Sequence, residues 1–209
     1  MKTNDERLHD IFDRLGRLSY VTPEDIPNID LYMDQVTTFM DTHLGVCKRD
    51  DEDKILTKTM INNYAKNNLL PPPNKKKYSR EHILLLIFIY YYKNILSITD
   101  IGELLRPITE SHFSPGSSPS LSRIYEEVFS MELEQRQHLK EDVLQKFEHA
   151  MKTFPEVDDS SSEKEYMQLF AFLSELAFDV YLKKQMIEKI IDELKAENAK
   201  NSSTNKKKK

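Results

Sequence analysis

The run ILLLIFIYYY, residues 83–92, constrains the fold more than any other segment of the chain. These ten consecutive apolar and aromatic residues are about half of what a membrane-spanning helix needs. Ser79 can cap a helix that has Arg80 and Glu81 in its first turn. Because a helix that is apolar almost all round has to be covered by its neighbours, residues 80–95 are predicted to form the central buried helix of a globular protein.

The composition favours helices in the rest of the chain as well. Only four glycines occur in 209 residues, and the long segments are rich in Leu, Ile, Glu and Lys. Apolar residues make up 39% and charged residues 31%, a balance typical of globular rather than disordered chains. The single cysteine, Cys47, excludes an internal disulfide, and the first ten residues lack the apolar core of a signal peptide. The sequence therefore predicts an all-α, soluble, cytoplasmic protein.

Enzyme signals are missing from the sequence. There is no glycine-rich phosphate loop, no GxSxG elbow and no HExxH motif. The six histidines do not pair with each other or with Cys47 at metal-ligand spacing. The carboxylates follow the polar sides of amphipathic helices, and His82 is expected at the surface or associated with a helix cap. No catalytic residue, metal or cofactor is predicted.

One segment carries an unusual charge. Residues 54–80 hold seven basic residues and no Asp or Glu, whereas the rest of the chain has 23 basic and 35 acidic residues. Clustered lysines release counterions from a nucleic-acid backbone, which favours a phosphate-binding surface. The alternative interpretation is a solvated surface on which lysines cluster by chance.

The same segment contains a short predicted helix. Thr57 can cap its first turn, Asn67 and Asn68 can adopt the left-handed turn that ends it, and Pro71 prevents continuation. One side of the helix is apolar, with Met60, Ile61 and Tyr64. The other side is polar, with Asn62, Asn63 and Lys66, and asparagine can bond adenine in a major groove.

Outside this segment, glycine and proline residues indicate where helices end and where a linker lies. Gly45 can end the preceding helix in a left-handed cap. A short helix from about 98 to 105 is expected to begin after Ser97 and to stop before Pro107. The Pro-, Ser- and Gly-rich segment that follows reads as a linker.

The stretch MINNYAKNNLLPPPNKKKYSREHILLL, residues 60–86, resembles the winged helix-turn-helix of the MerR family of transcription regulators. Leu69–Pro72 match the family's exit from the recognition helix, and Tyr78–Ser79 match the end of its basic wing. The likeness covers residues 55–105. Asn62 and Asn63 replace an arginine and a tyrosine of the family, and the wing is short. With DIPNIDLYMDQVTTFMD upstream, the pattern is more similar to a bacterial family catalogued as a domain of unknown function.

The resemblance implies an all-α fold with a MerR-like winged helix-turn-helix and an additional C-terminal helical region. The implied domains are an N-terminal helix (1–19), a helix-turn-helix domain (20–106), a linker (107–120), a C-terminal helical region (121–198) and a disordered Lys-rich tail (199–209).

The implied function is double-stranded DNA binding in transcription regulation, with an effector that the sequence does not identify. The alternative is a helical protein-interaction or adaptor module that keeps the fold without binding DNA. Expected DNA-binding residues are Thr57, Lys58, Asn62, Asn63, Tyr64, Lys66, Lys75, Lys76, Lys77, Tyr78 and Arg80.

The last predicted helix, residues 163–197, has more apolar residues than one stripe needs. Phe178, Leu182 and Met186 form a second file beside the main one. A helix that is apolar on two sides must bury both, either within its own chain or against a second copy. Because MerR-like proteins dimerise through C-terminal helices, a homodimer is predicted, and no membrane partner is expected.

Overall fold

The computed structural model describes residues 2–18, 20–158 and 161–206. It is mostly helical, with two strands of two residues each, which confirms the predicted all-α class. The helices are α1 (Asn4–Arg17), α2 (Met33–Leu44), α3 (Lys58–Lys66), α4 (Arg80–Tyr92), α5 (Ile98–His112), α6 (Leu121–Ala150) and α7 (Ser162–Lys206); 3-10 turns cover Pro23–Asp25 and Gly45–Cys47, and the strands are β1 (Leu31–Tyr32) and β2 (Lys77–Tyr78). In this described part, no helix is both long and apolar enough to cross a membrane.

Contacts divide the chain into two compact units. The first unit comprises Met1–Ser19 and Phe129–Gln185, and the second comprises Tyr20–Val128 and Met186–Lys209. This division differs from the linear order of domains expected from the sequence. Instead of standing alone, α1 inserts Leu8 into the core of the first unit, which also contains Val143, Phe147, Ala150 and Phe172.

Helix α4 is the centre of the second unit, as the sequence predicts. Every residue from Ile83 to Tyr90 is buried. Phe88 packs against Tyr125 with ring centroids 5.4 Å apart, and the Tyr125 hydroxyl donates a 2.6 Å hydrogen bond to the carbonyl oxygen of Val21. Burial on all sides explains why this helix carries no polar stripe.

Helix α3 begins and ends at the predicted residues. The Thr57 hydroxyl accepts a 3.2 Å hydrogen bond from the Met60 amide. Asn68 has a φ of +57°, and the Leu69 amide then donates to the Tyr64 carbonyl at 2.9 Å. Asparagine tolerates this left-handed conformation better than most residues, so the local sequence determines the end of the helix.

The segment that follows α3 is held in place by a pair of strands that are distant in sequence. Strands β1 and β2 are antiparallel, with Leu31 opposite Tyr78 and Tyr32 opposite Lys77. The chain after α3 is thereby attached to the residues that lead into α2.

Two predicted helix ends are wrong. Gly45 is right-handed, with a φ of −59° and a ψ of −29°, and it leads into a 3-10 turn rather than a left-handed cap. Helix α5 does not stop at Pro107 but continues to His112. Proline removes one hydrogen bond inside a helix. The apolar side of α5 continues past it with the partly buried Ile108, so packing favours the longer helix.

The C-terminal helix is also longer than predicted. α7 extends to Lys206, into the segment expected to be a disordered tail, and residues 207–209 lie outside the described residues. The expected linker is correspondingly shorter, because α5 covers its first six residues through His112.

Candidate functional site

The exposed side of α3 is uniformly polar and free of carboxylates. Its members recur at helical spacing and are all exposed: Lys58, Thr59, Asn62, Asn63 and Lys66. Ile61 and Tyr64 are buried on the opposite side. We call this surface the α3 polar face. Thr59 was not among the residues predicted from the sequence, although its spacing of four from Asn63 would have placed it there.

The lysines after α3 form a tight turn. The Lys77 amide donates a 2.9 Å hydrogen bond to the Asn74 carbonyl, and the two residues between them have φ angles of +49° (Lys75) and +66° (Lys76). Positive φ at both central positions is typical of a type I′ turn, which favours Asn-Gly or Gly-Gly. Lysine in this conformation costs roughly 1–2 kcal/mol per residue. This lysine turn, Lys75 and Lys76, therefore holds two exposed cations in a strained backbone.

Lys77, which follows the lysine turn, and Lys58 of α3 both contact residues at the start of α2. The Lys77 ammonium lies 5.3 Å from the centroid of the Tyr32 ring, and Lys58 forms an ion pair with Asp34. The charge of Lys58 is thus partly compensated, and Lys77 is half-buried against the ring. In the described part of the chain, no carboxylate lies within ion-pair distance of Lys66, Lys75 or Lys76.

Two predicted contact residues belong to the core instead. Tyr64 and Tyr78 are each only 4% exposed. Desolvation raises the pKa of both hydroxyls further above physiological pH, where a tyrosine at its ordinary pKa is already neutral. The side chains of both tyrosines are directed into the protein, so the structure explains them as core residues.

Arg80 is also better explained as a structural residue. Its Nη1 donates to the Asn28 side-chain oxygen at 2.8 Å and its Nη2 to the Pro23 carbonyl at 2.7 Å. The guanidinium therefore attaches the segment before β1 to the start of α4. Both terminal nitrogens of the guanidinium therefore have a partner within the protein. Thr57 caps α3 and is only partly exposed.

His82 is buried and caps the first turn of α4 through a hydrogen bond. It is 5% exposed, and its Nδ1 accepts a 2.9 Å hydrogen bond from the Ser79 amide. Nε2 must then carry the proton in the neutral ring, and in the described part of the chain this buried nitrogen has no hydrogen-bond partner. Burial lowers the pKa of the ring. The predicted cap association is confirmed, whereas the predicted surface position is wrong.

A cavity lies within the second unit, between the end of α3 and α5. Its volume is about 360 Å³, at the lower end of the range for small-molecule sites. Its lining includes Asn67, Asn68, Leu69 and the ion pair between Glu103 and Arg106. Within residues 2–18, 20–158 and 161–206, no group of three His, Cys, Asp or Glu side chains is arranged to hold a metal ion.

The α3 polar face and the lysine turn offer cations and side-chain amide groups to a partner. Such a surface can neutralise a polyanion and hydrogen-bond to it. Of the predicted residues, Lys58, Asn62, Asn63 and Lys66 lie on α3, and Lys75–Lys77 lie at the turn.

Comparison with known proteins identifies the family but no activity. The family model described as "Domain of unknown function (DUF1836)" matches residues 21–128, slightly more than half of the chain, and the chain therefore belongs to this family. The match coincides closely with the first segment of the second unit, which contains the α3 polar face and the lysine turn. No curated protein and no solved structure matches the chain significantly.

Proposed function

We propose that this member of the DUF1836 family binds double-stranded DNA and acts as a cytoplasmic transcription regulator. The observation that carries the proposal is the uncompensated charge of Lys66, Lys75 and Lys76 beside a carboxylate-free polar helix face, in a chain whose net charge is −5. An acidic protein has no general affinity for nucleic acid, so a local basic surface is needed to attract phosphates.

The proposed contacts follow from geometry and chemistry. An α-helix fits the major groove of B-form DNA, where asparagine can pair with adenine. Asn62 and Asn63 are adjacent and exposed on α3, so they are the candidates for base reading. The lysine turn and Lys66 would hold phosphates, because flexible ammonium groups act there as point charges.

A MerR-like winged helix-turn-helix is part of the proposal. Its support is the order of elements: α2 packs on α3, the chain leaves α3 through the buried Leu69 and Leu70, and β2 pairs with β1. In this arrangement α3 is the recognition helix and the lysine turn is the tip of a reduced wing. The strain in the turn is consistent with a functional role, because strained backbone often clusters at binding sites.

Salt dependence tests the phosphate contacts. We expect the protein to bind random duplex DNA at low salt, with affinity that falls steeply as salt rises. Replacing Lys75, Lys76 and Lys77 with alanine should reduce the slope of log affinity against log salt by up to about 2.7, from about 0.9 per lost contact.

A matched control removes the same charge elsewhere. Alanine at Lys140, Lys152 and Lys189, which are exposed and distant in sequence, should leave the slope nearly unchanged. A wild-type protein that shifts no duplex at low salt, or a triple variant with an unchanged slope, would contradict the proposal and favour the adaptor alternative.

Base reading predicts a different signature. If Asn62 or Asn63 pairs with a base, its replacement by alanine should cost about 1–3 kcal/mol on the preferred site. Binding to random DNA should change little, because phosphate contacts remain. Selection of binding sites from a random pool, followed by titration of both variants, measures this. Equal losses on selected and random sequences would assign the asparagines to non-specific contact.

A further inference from the structure

The cavity between the end of α3 and α5 is lined partly by apolar groups. Leu69 is 3% exposed, and a Cβ atom added at Gly102 would lie 3.7 Å from the Leu69 Cδ1 atom. Ile98 lines the same cavity and is 45% exposed. A concave site with apolar walls and a few polar groups is typical of small-molecule sites. The cavity therefore offers both room and apolar surface for a bound organic molecule.

The charged side chains of the cavity leave one carboxylate without a partner. Glu103 forms an ion pair with Arg106, so these two charges cancel. Glu110 follows Arg106 by four residues on α5 and lines the same cavity, but among the described residues it forms no ion pair and no side-chain hydrogen bond. Asp100, earlier on α5, is already paired with Lys195 at 2.6 Å. The cavity thus has one uncompensated negative charge, that of Glu110.

The uncharged polar groups of the cavity add hydrogen-bond acceptors. Asn67 Nδ2 donates a 2.8 Å hydrogen bond to the Asn63 carbonyl, so the end of this amide that has no partner in the described structure is its oxygen. The Thr109 hydroxyl donates its proton to the Leu105 carbonyl at 2.8 Å, which leaves its lone pairs to accept. Since Asn67 and Thr109 both line the cavity, they and the Glu110 carboxylate provide acceptors on its wall.

We propose that this cavity binds a small organic ammonium ion, a primary amine attached to an apolar group. An ammonium group has three donors and no acceptor, which matches the acceptors of Asn67, Thr109 and Glu110 and the single negative charge. The apolar group of the ligand would pack against Leu69 and Ile98. The end of α3 adds to the preference, because the carbonyl groups at the C-terminus of a helix carry partial negative charge and favour cations.

Other classes of ligand match the charges of the cavity less well. A phosphate or a carboxylate would be repelled by Glu110, and the one cation among the lining residues, Arg106, is already neutralised by Glu103. A polyamine would find no second unpaired carboxylate for its second ammonium group among the lining residues. A monoamine balances the single negative charge and leaves no charge unpaired.

Thermal unfolding with matched probes tests the requirement for positive charge. Phenethylamine is protonated at neutral pH, and phenethyl alcohol has the same apolar body with a hydroxyl in place of the ammonium group. Because a ligand that binds only the folded state stabilises it, phenethylamine should raise the unfolding midpoint by roughly 3–6 °C for each tenfold rise in concentration above its Kd. Phenethyl alcohol and the anion phenylacetate should not. No shift at millimolar phenethylamine, or an equal shift with either analogue, would overturn the proposal.

A glutamate substitution tests the partner of the ammonium group. Glu110→Gln removes the unpaired charge and should weaken phenethylamine binding about tenfold or more, the usual loss for a hydrogen bond to a charged group. Glu148→Gln makes the same change at an exposed position of α6 and should leave the affinity unchanged. Isothermal titration calorimetry measures both. Equal affinities of Glu110→Gln and the wild type would refute the assignment of Glu110.

Gly102→Ala tests where the apolar group of the ligand lies. The added methyl group would lie at ordinary contact distance from Leu69, so it takes up part of the cavity without a clash. Alanine also favours a helix interior more than glycine does, so the variant should fold at least as stably as the wild type. Its affinity for phenethylamine should fall severalfold in the same calorimetric titration, and an unchanged affinity would place the amine elsewhere. The inference does not depend on DNA binding, and its assays contain no DNA.

Discussion

Replacing Tyr64 by alanine is expected to destabilise the protein by about 3–5 kcal/mol, the usual cost of truncating a buried aromatic side chain. Tyr64 is 4% exposed and anchors α3 from its inner side. Its backbone carbonyl also accepts the Leu69 amide at the end of the helix. Urea unfolding monitored by circular dichroism should show a lower midpoint at a similar slope.

Two variants distinguish packing from DNA contact. Tyr64→Phe keeps the ring and should retain most of the stability. Asn63→Ala changes the exposed neighbour and should stay within about 0.5 kcal/mol of the wild type, as surface substitutions usually do. If Tyr64→Ala were to leave the unfolding midpoint unchanged and weaken only DNA binding, Tyr64 would lie on the surface after all.

The lysine turn predicts two opposite effects from one change. Lys75→Asn with Lys76→Gly supplies the residues that a type I′ turn favours, so the free energy of unfolding should rise by about 1–2 kcal/mol. The same change removes two cations. DNA binding should therefore weaken, and its salt slope should fall by about 1.8. Thermal or urea unfolding and duplex titration at two salt concentrations measure the two quantities.

A double alanine variant separates charge from strain. Lys75→Ala with Lys76→Ala removes the same two charges but keeps a Cβ atom at both left-handed positions. It should match the Asn-Gly variant in DNA affinity while showing no comparable gain in stability. If the Asn-Gly variant bound DNA as tightly as the wild type, the strained lysines would have no role in phosphate binding.

Local sequence predicted the helical elements that depend on near neighbours. Thr57 caps α3, Asn68 ends it in the left-handed region, and the apolar run from Ile83 forms the buried α4. Each of these features involves residues within a few positions of one another. Propensity, capping and periodicity describe such short-range effects well.

The candidate site was predicted only in part, because exposure depends on packing. Tyr64 and Tyr78 lie in the same basic segment as Lys75, yet they are buried. Arg80 is occupied by Asn28 and Pro23, more than fifty residues earlier. Charge counts along the sequence could not separate these residues from the exposed lysines, since their partners come from distant segments.

The sequence by itself determined the helical class, the caps of α3 and the concentration of positive charge in residues 54–80. Those properties follow from composition and from contacts between near neighbours. Tertiary structure alone decided that α1 packs with α6 and α7, that β1 pairs with β2, and that α5 continues past Pro107. Each of these outcomes depends on burial of apolar surface and on hydrogen bonds between distant segments. The free energy gained from these interactions outweighs the local conformational preference of a single residue.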